Sequence, residues 1–490
     1  MSAATLAGRW AVLALALAAG VAEAAGAPPQ QHDVVPAHTE QHRTAARSSE
    51  TPRAGGGASQ SVIPQGVLIR SLTFVPVAPD SATERYEVGG IPVIHRHVSG
   101  NNVVAANLYL LGGVRQTPAE KSGLEAVLLD ASERGTRKYP KIALRQRMAS
   151  LGSAIVSAPS KDWTLFGLRS TTATFDSTWA VLADRVMAPS LDSLETEQVR
   201  ALYATGVRQR RDSPDALLEY LADSAAFDGH PYGLSPAGTE RSIANITLGD
   251  LRRYQREQMV KSRLLLVVVG NVDRARVERL VRATLATLPE GNYRWTLPVV
   301  AQKNRGAAVI VPRSLATNYI LGYYAGPEAT SADYPALRIA TAVLSGRMFA
   351  EIRSRRNLTY AVDAPFLERA VAAGGLYVTT VSPDLTLSLM RAEIDGLRRD
   401  QIDPTALDRL VQQFITDYFL DNETNSDQAN FLARAELYQG DYRKADRFVD
   451  DLRAVTSDDI RRVTTRYMRD VTFAYIGDPG RLTAKVVEGF

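Results

Sequence analysis

Apolar and polar positions along this chain follow a plan that is written twice. ITLGDLRRYQREQM, from Ile246, places an N-cap-type Thr247 before an amphipathic helix, then Asp250, an apolar Leu251 and Arg252-Arg253. VTSDDIRRVTTRYM, from Val455, does the same with Thr456, Asp459, Ile460 and Arg461-Arg462. Each helix leads into an apolar strand that ends in Gly and a polar residue, RLLLVVVGN to Asn271 and VTFAYIGD to Asp478. Upstream, LFGLRSTTATFDSTWAVLADRV parallels GLYVTTVSPDLTLSLMRAEIDGL as an alternating strand, a turn and a helix, and SLDSLETEQV and QIDPTALDRL follow in the same order. The members of each pair lie about 210 residues apart. Repeats of solenoids recur every ~20 to 50 residues, so this spacing predicts a duplicated domain instead.

Strands and helices mixed in this order predict an α+β fold of two homologous halves, each a mostly antiparallel sheet packed with helices. The pattern breaks at WTLPVVAQKNRGAA, which predicts a first domain over residues 66–294, a linker over 295–307 and a second domain over 308–490. The 490 residues and 45% hydrophobic content suit more than one core. A net charge of only +4 and the lack of a basic block interleaved with aromatics argue against nucleic acid as a partner.

The N-terminus has its own pattern. Arg9, the apolar run WAVLALALAAGV and Ala22-Glu23-Ala24 read as a signal peptide over residues 1–24, the run being too short to span a bilayer. A secreted, periplasmic protein with no stable membrane span after cleavage is expected. Residues 25–65 are rich in Pro, Gln, Ser and Gly, which predicts a disordered tether; its His32, His38 and His42 are read as solvated. The chain has no cysteine, so any zinc would need His, Asp or Glu. His95 and His97, two apart on a strand near Glu87, are read as solvated, and His230 in the GHPYG turn has no ligand set in its own segment.

Several segments carry a more specific likeness. NLYLLGGVRQTPAEKSG, the GL and GT that bracket GLEAVLLDASERGT, RDSPDAL, GHPYG with Gly238 after it, and VVVGNVD occur in an order and spacing that resemble the pitrilysin/insulinase zinc peptidases, whose signature is H-x-x-E-H. Their two-domain chains that work as paired subunits, like the mitochondrial processing peptidase, are the nearest pattern. The resemblance implies a processing-peptidase-like metallohydrolase fold. It also puts the family's first histidine at Ala126, its glutamate at Leu129, its second histidine at Asp130 and its third ligand at Gly206, counting back from Asp212-Ser213-Pro214. Ala126, Leu129 and Gly206 offer no donor atom, and Asp130 alone is insufficient where a catalytic zinc takes three protein ligands. The same helix read without the resemblance is a core helix with Asp130 at a polar seam.

In the second half, MFAEIRSRRNLTYAV resembles the family segment that carries an arginine and, seven residues on, a tyrosine facing the zinc from the opposite half or subunit. Arg353 and Tyr360 match that spacing, and Arg356 competes for the arginine role. The glycine run that usually precedes this segment is shortened to Leu344-Ser345-Gly346. The expectation is a subunit that binds no metal itself and pairs as a heterodimer with a homologous zinc-binding subunit, zinc being held by the partner. Together they would enclose a peptide substrate, to which Arg353 and Tyr360 are supplied in trans. The alternative is a catalytically inert structural or peptide-binding homologue.

Overall fold

The computed structural model describes residues 83–298 and 307–490. The expected signal peptide and tether, and most of the expected linker, lie outside the described residues.

The first half runs β1 (Thr83–Val88), β2 (Ile91–His97), β3 (Val103–Leu111), α1 (Leu124–Glu133), α2 (Lys141–Leu151), β4 (Ala154–Pro159), β5 (Trp163–Thr171), α3 (Phe175–Met187), α4 (Ser193–Arg210), α5 (Pro214–Ala226), α6 (Glu240–Asn245), α7 (Leu248–Gln258), β6 (Leu264–Gly270) and α8 (Arg274–Ala283). The second runs β7 (Ala308–Pro312), β8 (Asn318–Glu328), α9 (Asp333–Met348), a π-helical turn (Phe349–Arg355), β9 (Thr359–Asp363), β10 (Phe366–Leu367), β11 (Val371–Thr380), α10 (Pro383–Arg399), α11 (Pro404–Asp421), α12 (Asn425–Gln439), α13 (Lys444–Arg453), α14 (Ser457–Tyr467) and β12 (Thr472–Gly477). The sheets have strand orders β1-β2-β6-β3-β5-β4 and β10-β11-β8-β12-β7, with β9 also pairing to β11. In each, one parallel pair, β2 with β6 or β7 with β12, sits in an otherwise antiparallel sheet. The repeated helices start alike: Thr247 and Asp250 form a reciprocal capping box on α7, as Thr456 and Asp459 do on α14.

The strand LLLVVVG is buried at every residue because both faces of its sheet are covered. One face packs on the half's own helices, with Leu128 of α1, Trp179 of α3, Val199 of α4 and Val281 of α8 against Leu108 and Leu266. The other face is covered by the opposite half. Ala429, Leu432 and Ala433 of α12 pack on Ile94, Tyr109, Leu265 and Val267 of the first sheet. In return, Leu218, Ala222 and Ala226 of α5 pack on Leu321, Tyr323, Ala373 and Ile476 of the second. Each half thus lends the other a helix, and neither sheet is closed by its own residues alone.

Polar groups tie the exchange. Tyr109 OH donates to Asn430 Oδ1 at 2.6 Å, and Asn107 Nδ2 donates to the same oxygen at 2.9 Å and to the Ser426 carbonyl at 3.2 Å. Asp162, at the start of β5, is buried between the halves. It accepts from Tyr232 OH at 2.6 Å on its own side, and from Tyr438 OH at 2.9 Å and the Ala370 amide at 3.2 Å across the seam. Arg115 Nη1 stands 3.7 Å from the same carboxylate. Next to it, Asp223 of α5 receives Arg369 Nη2 through both oxygens, at 2.9 and 3.1 Å, and Lys161 Nζ at 3.1 Å. Arg338 and Arg434 converge on Glu368 and hold its carboxyl well below the usual range despite burial.

Removing the hub should cost more than an average truncation. Asp162→Ala leaves two phenols, an amide and a guanidinium without their acceptor, and loss of one partner from a buried charged cluster typically costs about 3 to 5 kcal/mol. A denaturant midpoint that falls with an unchanged slope checks this; an unchanged midpoint would show that Asp162 does not hold the halves together.

Candidate functional site

Helix α1 starts abruptly because Gly123 has φ 92°, and a Cβ there would meet Ile243 Cδ1 at 2.7 Å. The tight approach seats the helix deep in the first half. Ala126 and Leu129, the positions that the resemblance gives to a histidine and the glutamate, are both buried, and Leu129 packs into the hydrophobic core. Asp130 lies at the seam with α4, where the Tyr203 hydroxyl faces its carboxylate. Burial, then Glu133, push its carboxyl up to about 6, against the opposing pull of Tyr203, Arg185 and Arg134. Gly206 is on α4 one turn after Tyr203, exposed, with open space where a Cβ would stand.

The residue of α4 that meets Asp130 is therefore Tyr203. The metal-binding pattern passed over it because that pattern seeks an acid on this helix, and a phenol is a donor to a carboxylate where an acid would repel it. Ala126, Leu129 and Gly206 do not fit a zinc ion, and among the described residues no group of three His, Cys, Asp or Glu comes together elsewhere.

Beside Ala126, the neighbouring Glu125 is buried and fully engaged. Its Oε1 accepts from Tyr254 OH at 2.5 Å and Arg263 Nη2 at 3.1 Å, and its Oε2 accepts from Thr164 Oγ1. Arg263, with a side chain 1% exposed, also donates to the Leu111 carbonyl at 2.7 Å and to Gln258 Oε1 at 3.1 Å. Both charged groups of this pair are hydrogen-bonded inside the protein, which marks the pair as an anchor for α1.

His95 differs from the reading as solvated. His95 is buried, with Nε2 at 3.0 Å from the Val272 carbonyl and Nδ1 at 3.6 Å from Glu84 Oε1; burial lowers its pKa. Glu87 pairs in register with Pro92, and the residue opposite His95 is Glu84. His97 is half-buried. His230 accepts from the Tyr232 amide through Nδ1 at 3.1 Å, capping the turn that carries Tyr232 to Asp162.

In the second half the structure distinguishes the two candidate arginines. Glu351 draws both Arg355 and Arg356 to its carboxylate, Arg356 Nε at 2.7 Å. Arg353 has no carboxylate partner among the described residues. Its guanidinium lies 5.0 Å from the centre of the Tyr360 ring and 4.7 Å from that of Phe349. Asn357, with φ 52°, turns the chain from the π-helical turn into β9, a left-handed position that asparagine tolerates. Buried Ile352 and Thr359 anchor the two arms of this turn, while Tyr360 is 83% exposed. Among the described residues no hydrogen bond, ion pair or ring contact joins this pair to Asp130 or Tyr203.

Two outcomes follow from this geometry. Ala126→His, Leu129→Glu, Asp130→His and Gly206→Glu made together should restore zinc affinity only weakly, because Tyr203 occupies the seam and nothing orients the new imidazoles. Elemental analysis of the folded variant against wild type checks this, and about one tightly held zinc per wild-type chain would overturn the degenerate-site reading. The second concerns pH. The native Asp130 holds a proton between about pH 4 and pH 6 that the unfolded chain has released, so this residue makes stability fall as pH rises through that window. Asp130→Asn should flatten that slope, measured as the denaturation midpoint from pH 4 to 7.

Comparison with known proteins agrees with these features. The family model for Insulinase (Peptidase family M16) matches residues 93–240, and the model for the Peptidase M16 inactive domain matches residues 245–414. An uncharacterized zinc protease of Mycobacterium tuberculosis is 22% identical over 382 residues, covering 75% of this chain and 86% of its own. The crystal structure of a protease from Helicobacter pylori superposes with a TM-score of 0.74 at 18% identity, over 81% of this chain and 99% of that one. The peptidase M16 inactive domain structure from Pseudomonas fluorescens does so with the same score and identity, over 81% and 98%. The chain belongs to the insulinase, or pitrilysin, family of M16 peptidases.

Proposed function

We propose that this chain is the metal-free subunit of a heterodimeric zinc endopeptidase. It pairs with a homologous chain that keeps H-x-x-E-H, the two enclose an extended peptide, and Arg353 and Tyr360 complete the partner's active site. The reading rests on one observation above the rest: an arginine without a carboxylate partner, stacked on a tyrosine that is 83% exposed. A phenol and a guanidinium can donate to a peptide carbonyl as negative charge develops on its oxygen. The peptide would add as a strand to a sheet edge of the partner, which reads backbone more than side chains. The N-terminal sequence pattern, Arg9 followed by WAVLALALAAGV and Ala22-Glu23-Ala24, supports a periplasmic setting for this subunit.

The closed, apolar surroundings of Ala126 and Leu129 favour, as a second reading, an inert structural or peptide-binding homologue. Such a chain has no use for an exposed Arg–Tyr pair, and one substitution separates the two. In the complex with its zinc-bearing partner, Tyr360→Phe removes a single polar atom and should leave assembly intact while lowering kcat by roughly 100- to 1,000-fold. Arg353→Ala should be at least as damaging, with some loss of peptide binding as well. Peptide cleavage at the wild-type rate by the Tyr360→Phe complex would give preference to the inert reading.

A further inference from the structure

The π-helical turn contains a third side chain whose placement the Arg–Tyr pair does not explain. Phe349 is 39% exposed although the residue before it, Met348, and the one three later, Ile352, are buried. An apolar ring left at the surface gains little from the core that its neighbours occupy. Its one ring contact among the described residues is the Arg353 guanidinium, which lies over both the Phe349 and the Tyr360 ring, 4.7 and 5.0 Å from their centres.

The backbone is widened at this point. The Arg356 amide bonds to the Glu351 carbonyl at 3.2 Å, an i to i+5 link, and such turns are rare and concentrate at functional sites. Phe349 and Arg353, four residues apart, come to lie on one side of the turn while Ile352 points into the core. Glu351 takes the two arginines that could compete for the slot.

We propose that Phe349 is a positioning residue: with Tyr360 it clamps the Arg353 guanidinium between two rings, so that Arg353 is already oriented when a peptide carbonyl arrives. A long, flexible side chain with no ion pair samples many rotamers, and a cation stacked on aromatic faces loses that freedom before the substrate binds. This role rests on the reading that Arg353 and Tyr360 act in the partner's active site.

Phe349→Leu keeps the bulk and removes the π face; Phe349→Tyr keeps both. In the complex with the zinc-bearing partner and a fluorogenic peptide, Phe349→Leu should lower kcat about 2- to 5-fold, the range expected of an exposed cation–π contact. KM and subunit association should be unchanged and Phe349→Tyr should restore the rate. In the isolated full chain, 15N-arginine spectra should show the Arg353 Nε–H, assigned with Arg353→Lys, displaced by ring currents in wild type and Phe349→Tyr and returned toward the bulk arginine position in Phe349→Leu. An unmoved Arg353 resonance overturns the clamp. A loss that falls wholly on subunit association assigns Phe349 to the interface and also overturns it. Damage by Tyr360→Phe with none by Phe349→Leu refutes the positioning role alone, whereas silence of Tyr360→Phe removes the reading on which it rests.

Discussion

A carboxylate shut between two sheets needs donors for its oxygens, and Asp162 obtains them from both halves of the chain. Tyr232 belongs to the first half, Tyr438 and the Ala370 amide to the second. The interaction works only when α12 lies on the first sheet and the segment before β11 reaches the seam, so it couples local polar satisfaction to the relative placement of the two halves. Asp223 applies the same constraint from α5 through Arg369. Hydrophobic contacts of α5 and α12 supply the bulk of the attraction, and these buried acids fix the register in which they meet.

That division of labour explains why the site on α1 tolerates its residues. The helix is secured by the approach at Gly123 and by the Glu125–Arg263 pair on its buried side, none of which touches a metal position. Ala126 and Leu129 then behave as ordinary core residues, and Asp130 faces Tyr203. The Arg353–Tyr360 pair lies apart from this helix, at the end of α9, where the chain widens into a π-helical turn and turns through Asn357 to stack Arg353 on Tyr360.

What the sequence made legible was local. The capping boxes at Thr247 and Thr456, the apolar strands that follow them and the doubled order of elements all depend on residues within a few positions of one another, which is the range over which periodicity and capping act. The family brackets around α1 placed Ala126, Leu129 and Asp130 on a buried helix for the same reason. The polar hubs could not be read: Tyr438 is 276 residues from Asp162, and Arg263 is 138 from Glu125. Nothing near His95 in the chain announced the Val272 carbonyl that it meets. Arg356 differs from Arg353 in its pairing with Glu351, which depends on a rotamer and not on a spacing.

The exchanged helices also set an order in time. Synthesis yields the first half before α12 exists, so the face of the first sheet that carries Tyr109, Leu265 and Val267 stays uncovered while about 160 further residues emerge, as does the apolar side of α5 until the second sheet forms. Chains whose final contacts join distant segments fold slowly and expose such surfaces longest. The first half is therefore a dependent intermediate, sticky on two faces, and completion of the protein is a docking event late in the life of the nascent chain.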